Sequence, residues 1–326
     1  MKESKRPELK PLFLERMEKL LVEKKDFESY LDILKVVPVR SIRCNPLKIS
    51  VEDLKKKLEA KGWKIGQPWK KSPDVMIIEN DLVPGELGRA LEHLLGYYYI
   101  QELASMLPVL SFNFEEGEKV LDLCAAPGSK TTQISAKMNN TGSVIANEVS
   151  MGRLRILASN LERCGCSNVV ISRKDGSALC KRLKKYNDYE FDKILVDASC
   201  SGEGTLRSSL KTYSMWNIKT VKNLPKIQFD LFMNSFEVLK VGGEFIYSTC
   251  THAPEENEGV VNRILKELGD EIEIVEINLP VKVRKGVTEW EGVKFDKRVE
   301  KCARVYPQDN NTEGFFVSKF RRMKND

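Results

Sequence analysis

Lys119-Val120-Leu121-Asp122-Leu123-Cys124-Ala125-Ala126-Pro127-Gly128-Ser129-Lys130-Thr131 is the stretch that decides the fold. A short apolar run ends at an acid, gives way to small residues and leads into a helix-forming segment, the order of a strand feeding a ligand-binding turn. Small side chains let a ligand approach the backbone, and the helix start offers unpaired amides to an anionic or carboxylate-bearing group. The stretch has neither the G-x-G-x-x-G dinucleotide spacing nor that of a Walker loop, which counts against NAD, FAD and nucleoside triphosphates.

The same rhythm recurs downstream. Lys119 to Leu123, Ser143 to Asn147, Asn168 to Ser172, Lys193 to Asp197 and Glu244 to Ser248 are short Val/Ile/Leu-rich runs separated by helix-length intervals. Such buried runs predict a parallel α/β sheet, with further strands near Ile272 to Ile277 and Gly314 to Val317. Upstream, Leu9 to Leu21 and Phe27 to Val37 repeat apolar residues at helical spacing. Val39 to Arg43 alternates like a strand, Ser50 and Asp53 make a capping box for a helix ending at Gly62, and Val75 to Glu79 is another strand. This predicts a small α+β unit within residues 1–112 and an α/β domain over 113–326, divided at the polar break around Asn113 to Gly117.

Composition narrows the class. The 326 residues are 41% hydrophobic and 31% charged, with a net charge of +6, an ordinary balance for a globular protein. Apolar stretches such as Leu94 to Ile100 fall far short of the roughly 20 residues needed to cross a bilayer. The charged start, Met1 to Arg6, lacks a secretion signal's apolar core, so a cytoplasmic protein with free thiols is expected. Cys44, Cys164, Cys166, Cys180 and Cys302 read as small buried hydrophobes, and Cys164 with Cys166 lacks the second ligand pair of a zinc site, so no metal is expected.

Ligands of an open α/β sheet bind beyond the carboxyl ends of its strands. There Glu148 follows the second strand, where a carboxylate matches two hydroxyls of a ribose, and Asp175 follows the third, where it suits an adenine amino group. Each acid alone is more often a helix cap or a solvated loop residue. Together with Asp122 and the small-residue loop they favour an adenosine-bearing ligand. The fourth and fifth strands end in Asp197-Ala198-Ser199-Cys200-Ser201-Gly202-Glu203-Gly204 and Ser248-Thr249-Cys250-Thr251-His252-Ala253-Pro254-Glu255-Glu256-Asn257-Glu258, placing two cysteines at the ligand edge.

Between Thr205 and Phe229, Arg207, Lys211, Lys219, Lys222 and Lys226 alternate with Tyr213 and Trp216, without an acid until Asp230. Phosphate contact with base stacking and a solvated helix face fit this equally. His93 and His252 are the chain's two histidines, which counts against Ser-His-Asp hydrolysis at Ser201 or Ser248 and against a Cys250-His252 protease.

The sequence resembles the Sun-type (Nol/Nop/Sun) RNA cytosine-5 methyltransferases. Their cofactor loop D-x-C-A-A-P-G-G-K-T matches Asp122 to Thr131, and their two cysteine motifs match Asp197 to Gly204 and Ser248 to Glu258. Supporting segments are Arg43 to Lys48, Tyr99 to Met106, Arg304 to Pro307 and Thr312 to Phe316, so the resemblance covers roughly residues 39 to 320. Three positions depart from the pattern: Ser129 replaces the second loop glycine, Ser199 the motif proline and Gln308 a frequent histidine.

The resemblance implies a Rossmann-like class I methyltransferase sheet behind a small RNA-recognition-like domain, with S-adenosylmethionine as cofactor. It assigns the cofactor to Cys124, Ala125, Ala126, Pro127, Gly128, Ser129, Lys130, Glu148, Arg153, Asp175 and Asp197. It gives nucleophilic attack on C6 of cytosine to Cys250, release of the C5 proton to Cys200, the base N3 to Asp197, and a supporting role to Lys130 on the cofactor carboxylate or the cysteine loop. It implies RNA as partner; tRNA is favoured over rRNA because the chain is compact and lacks long basic tails, and a monomer is expected. Arg40, Arg43, Lys48 and Lys55 to Lys57 are expected to face the RNA, the lysines being equally explicable as a helix's wet face. A poorly catalytic RNA-binding assembly factor is the competing expectation, and a small-molecule or protein methyltransferase is a third.

Overall fold

The computed structural model describes residues 6–186 and 189–324. Met1 to Lys5, on which most of the expected charged start rests, lie outside the described residues. Among the described residues no helix is long and apolar enough to cross a membrane.

A nine-stranded sheet organises the molecule. Strands Val169–Ser172, Ser143–Asn147, Lys119–Asp122, Phe191–Asp197 and Leu239–Thr249 lie side by side in that order and run parallel. Strand Phe315–Arg322 then joins antiparallel, and Ala303–Val305 and Ile272–Val275 pair with its two halves. This is a doubly wound Rossmann-like sheet: the chain builds outward from Lys119–Asp122 through two strands, then returns to its other side. The turn after Lys119–Asp122 therefore lies at the reversal point, where a crevice opens.

Alternation along the strands explains two separate cores. Leu121, Ile194, Val196, Phe245 and Tyr247 pack under helices Gly176–Lys185, Ile218–Phe236 and Glu258–Leu268. Val120, Leu195 and Ile246 point the other way, under helices Leu103–Leu110 and Ser129–Lys137. Both faces are covered, which is why these strands read as continuous apolar runs rather than alternating ones.

The small sheet is antiparallel, with Ile65–Gly66, Val75–Ile78, Arg40–Cys44 and Tyr98–Ile100 in spatial order. Leu54 and Leu58 of helix Val51–Glu59 pack on it, and Ser50 accepts the Asp53 amide at 3.0 Å, the expected cap. Arg43 corrects one expectation. It is buried, and it donates to Gln101, to the Ser129 carbonyl at 2.8 Å and to Thr132 Oγ1 at 2.8 Å. It ties the small sheet to the helix after the cofactor loop and is not free to meet RNA.

Tyr213 and Trp216 decide between the two readings of the basic stretch. Both are buried in an apolar cluster with Phe13, Met17 and Tyr30, so neither ring can stack on a base. Arg207 is also buried, holding the Thr312 carbonyl and Asn311, while Lys211, Lys219, Lys222 and Lys226 remain exposed. Helical periodicity explains this: the rings mark the inward face and the lysines the outward one.

Candidate active site

The turn after Lys119–Asp122 is held from several sides. Asp122 is buried and accepts the Thr131 hydroxyl at 2.7 Å through Oδ2, while Oδ1 has no protein partner. Burial pushes its carboxyl up to about 6. Ala126-Pro127 is cis, and Gly128, with φ of 104°, caps helix Ser129–Lys137. The positive φ thus falls on the glycine that is present, so Ser129 replaces the second glycine without backbone strain.

Around this turn stand the expected acids. Glu148 is buried; it accepts the Ser150 amide at 2.8 Å and pairs with Arg153 at 3.2 Å. Arg153 also donates to the Ala126 carbonyl, so it links the second strand end to the loop. Asp175 is exposed and caps helix Gly176–Lys185 through the Ala178 amide at 2.9 Å. The cap uses one oxygen and leaves the second free to accept. Asn147 bonds the Leu123 and Lys174 carbonyls, fixing the three strand ends relative to one another.

The two cysteines converge. Asp197 sits opposite Ser248 in the parallel register, and the following turns bring Cys200 Sγ within 3.2 Å of Cys250 Sγ. Contact with Cys250, then burial, push the Cys200 thiol well up, so Cys200 keeps its proton while the two sulfurs are in contact. Asp197 accepts the Ser248 hydroxyl through Oδ1 and faces Lys130 through Oδ2, each at 2.7 Å. Lys130 also donates to Ser105 at 3.1 Å. Of the two supports expected of Lys130, the structure shows it on the acid beside the cysteine loop.

Other side chains hold the two loops. The Cys250 carbonyl accepts the Gly204 amide at 2.9 Å, and Gly204 in turn accepts from Gly314. A side chain at 204 would meet the Gly314 carbonyl oxygen at 2.2 Å, which explains glycine there. Glu256 accepts the Ser201 amide at 3.0 Å and Gln228 at 2.9 Å, and Gln228 also donates to the Ser199 carbonyl. The serine at 199 therefore leaves the loop anchored from helix Ile218–Phe236. Burial raises Glu256 to about 7. His252 stacks on Tyr306 with ring centroids 4.9 Å apart, and burial lowers it to about 3, which removes it as a base near neutrality. Gln308 donates to Asp26 in an outer helix.

Sequence reading placed Cys200, Cys250, Asp197, Lys130 and the loop together; it quoted the segments that hold Ser105 and Arg304 without giving either a role, and it missed Gln228, which carries no local signal. Arg304 forms a buried pair with Glu258 and holds the His252 carbonyl at 2.9 Å; both of these partners lie in the quoted cysteine motif. Among the described residues, no group of three or more His, Cys, Asp or Glu is arranged to hold a metal.

Comparison with known proteins gives the family and the fold. The model described as 16S rRNA methyltransferase RsmB/F matches residues 109–321, and that of the N-terminal domain of 16S rRNA methyltransferase RsmF matches residues 9–103. The chain is 38% identical over 314 residues to ribosomal RNA small subunit methyltransferase F of Vibrio campbellii, covering 95% of itself but 63% of that relative. It is also 38% identical over 314 residues to tRNA (cytosine(49)-C(5))-methyltransferase of Pyrococcus abyssi, covering 96% of that protein. A solved methyltransferase homologue from Pyrococcus horikoshii superposes with a TM-score of 0.81 at 32% identity, over 96% of this chain and 95% of the other.

Proposed function

Because the chain belongs to the 16S rRNA methyltransferase RsmB/F family, we propose that it is an S-adenosylmethionine-dependent RNA cytosine-5 methyltransferase. The observation that carries this reading is the 3.2 Å approach of Cys200 and Cys250 beside Asp197, at the crevice edge of the sheet. A methyltransferase that leaves the base unactivated has no use for two thiols there. In this reading residues 113–326 carry the chemistry, and the small sheet within residues 1–112 faces the RNA.

The residues present fit S-adenosylmethionine. Glu148 keeps unused lone pairs for a ribose diol, Asp175 keeps an oxygen for the adenine amino group, and Asp122 Oδ1 is a buried acceptor without a partner beside the small-residue turn. Cys124 to Ser129, Arg153 and Asp197 complete the cradle. When bound, the cofactor supplies the methyl group that C5 of cytosine receives.

The chain's own residues do the rest. The target base leaves its stack to reach the strand ends. The Cys250 thiolate adds to C6, which raises electron density at C5. Asp197, oriented by Lys130 and Ser248, shares a proton with N3 and so offsets the negative charge that builds on the ring as sulfur adds. After transfer the C5 proton passes to Cys200, directly or through water, and the bond from C6 to the Cys250 sulfur breaks. The main cause that holds Cys200 protonated is its contact with Cys250. That contact changes once the Cys250 sulfur is bonded to the base; Cys200 then gives its own proton to solvent and, as the thiolate, accepts the C5 proton.

The substrate we favour is tRNA, acted on by a cytoplasmic monomer; the Pyrococcus abyssi relative, matched over nearly its whole length, is named for tRNA cytosine 49. The second reading is rRNA, favoured by the name of the Vibrio relative and of both family models. Labelled methyl transfer to size-fractionated RNA decides between them. Label as 5-methylcytosine in the tRNA fraction supports the first, and label confined to small-subunit rRNA supports the second. Cofactor binding without label in any fraction contradicts both and favours an assembly factor.

A further inference from the structure

Helices Pro11–Leu20 and Lys24–Lys35 pack on the segments that follow the two cysteines. Phe13, Met17, Leu21, Tyr30 and Leu34 share one buried cluster with Leu206, Tyr213 and Trp216, which follow Cys200, and with Ala253, which follows Cys250. Arg16 projects from the first helix into this junction with a side chain only 6% exposed. Its Nη2 donates to Glu255 Oε2 at 2.7 Å and its Nη1 to Glu291 Oε1 at 3.2 Å, while the guanidinium lies 5.2 Å from the Trp290 ring centroid.

Glu203 stands on the opposite loop. It is buried and accepts Trp216 Nε1 at 2.8 Å, and Trp216 in turn meets Phe13 edge-on at 5.4 Å. Burial raises the Glu203 carboxyl and the nearby Arg16 guanidinium draws it back down, so Arg16, bonded to Glu255, also acts on Glu203. Glu203 follows Cys200 by three residues and Glu255 follows Cys250 by five. Without the cation, Glu255 of the Cys250 loop would lose its charge partner in a poorly solvated place, which loosens the junction that the Gly204–Cys250 and Ser201–Glu256 hydrogen bonds also hold.

We infer that Arg16 is a positioning residue: from outside the catalytic sheet it holds the Cys200 loop and the Cys250 loop in the register that brings their sulfurs together. Neither family motif contains it, and it touches no reacting atom. Its kinetic consequence rests on the proposed methyltransferase reading, whereas its effect on thiol spacing does not.

The experiment compares wild type, Arg16→Met and Arg16→Lys in two assays. Phenylarsine oxide reads thiol spacing: arsenic exchanges its oxygen for two sulfurs with loss of one water, and peptide mass spectrometry assigns the bridge to Cys200 and Cys250. Methyl transfer to RNA gives kcat and KM. Arg16→Met is expected to slow capture and lower kcat by between about tenfold and about a hundredfold, the scale of a misplaced reacting group, with KM for RNA and cofactor affinity unchanged. Arg16→Lys, which keeps the charge, is expected to recover part of both. Wild-type capture and turnover in folded Arg16→Met would overturn the inference. So would equal losses in both variants together with lost cofactor binding, which would mark a general support of the fold. If wild type methylates no RNA yet capture depends on Arg16, the proposed function fails and the positioning role stands.

Discussion

Lys130 Nζ lies 2.7 Å from Asp197 Oδ2, joining the start of the cofactor-loop helix to the acid at the end of the central strand. We propose that through this contact Lys130 orients Asp197. Lys130→Met leaves Asp197 with Ser248 as its remaining hydrogen-bond donor, so kcat is expected to fall by about two orders of magnitude, the usual scale for a lost charge-stabilising donor. Affinity for S-adenosylmethionine should hardly change. Single-turnover kinetics with calorimetric cofactor titration checks both, and weakened cofactor binding at wild-type turnover would return Lys130 to the cofactor.

Gly204 links the two cysteine turns through its amide on the Cys250 carbonyl, and a methyl group there would collide with the Gly314 oxygen. Gly204→Ala is expected to lower kcat by at least about tenfold through displacement of Cys250. Gly88→Ala, at a position with open space and ordinary backbone, is the matched control and should behave as wild type.

Glu256 gives a pH test. Its carboxyl rises from the ordinary 4.5 to about 7 on folding, so between those values the native state binds more protons than the unfolded one. Its contribution to stability is fully present below about 4.5 and is lost as pH rises to about 7. Glu256→Gln keeps an acceptor for Ser201 and Gln228 but cannot ionise. Relative to wild type it should gain stability across this window, on the order of 3 kcal/mol by pH 8, with little further change above. Urea unfolding at several pH values measures the difference; a constant offset would contradict the assignment.

Trp216 separates core from RNA contact. Its ring is buried against Phe13 and its Nε1 serves Glu203, so Trp216→Ala is expected to cost about 3–5 kcal/mol of stability. RNA affinity of the folded fraction should hold. Retained stability with a large loss of RNA affinity would restore base stacking.

The parallel strands were legible because a strand buried on both faces leaves a continuous apolar run, as in Lys193 to Val196. The convergence of Cys200 and Cys250 was legible from two motifs on strands that pair in register. Arg43 was misread because an Arg on a short strand looks solvent-facing. In fact Ser41, Ile42, Arg43 and Cys44 are all buried, since the small sheet is covered on one face by its own helix and on the other by the cofactor-loop helix. The Tyr98–Ile100 edge strand is too short to show a period, and Gln228 and Ser105 reach the site only through tertiary packing. Arg16 falls in the same class: its helix was predicted, but nothing local pointed it at Glu255.

The central claim is that Cys250 attacks the base and Cys200 frees it, and the most direct measurement is covalent trapping. Cys200→Ala, incubated with S-adenosylmethionine and substrate RNA, should accumulate a protein–RNA adduct that migrates slowly on a denaturing gel and maps to Cys250 by mass spectrometry. Cys250→Ala should form none. An adduct with Cys250→Ala, mapping to Cys200, would reverse the two roles and contradict the account.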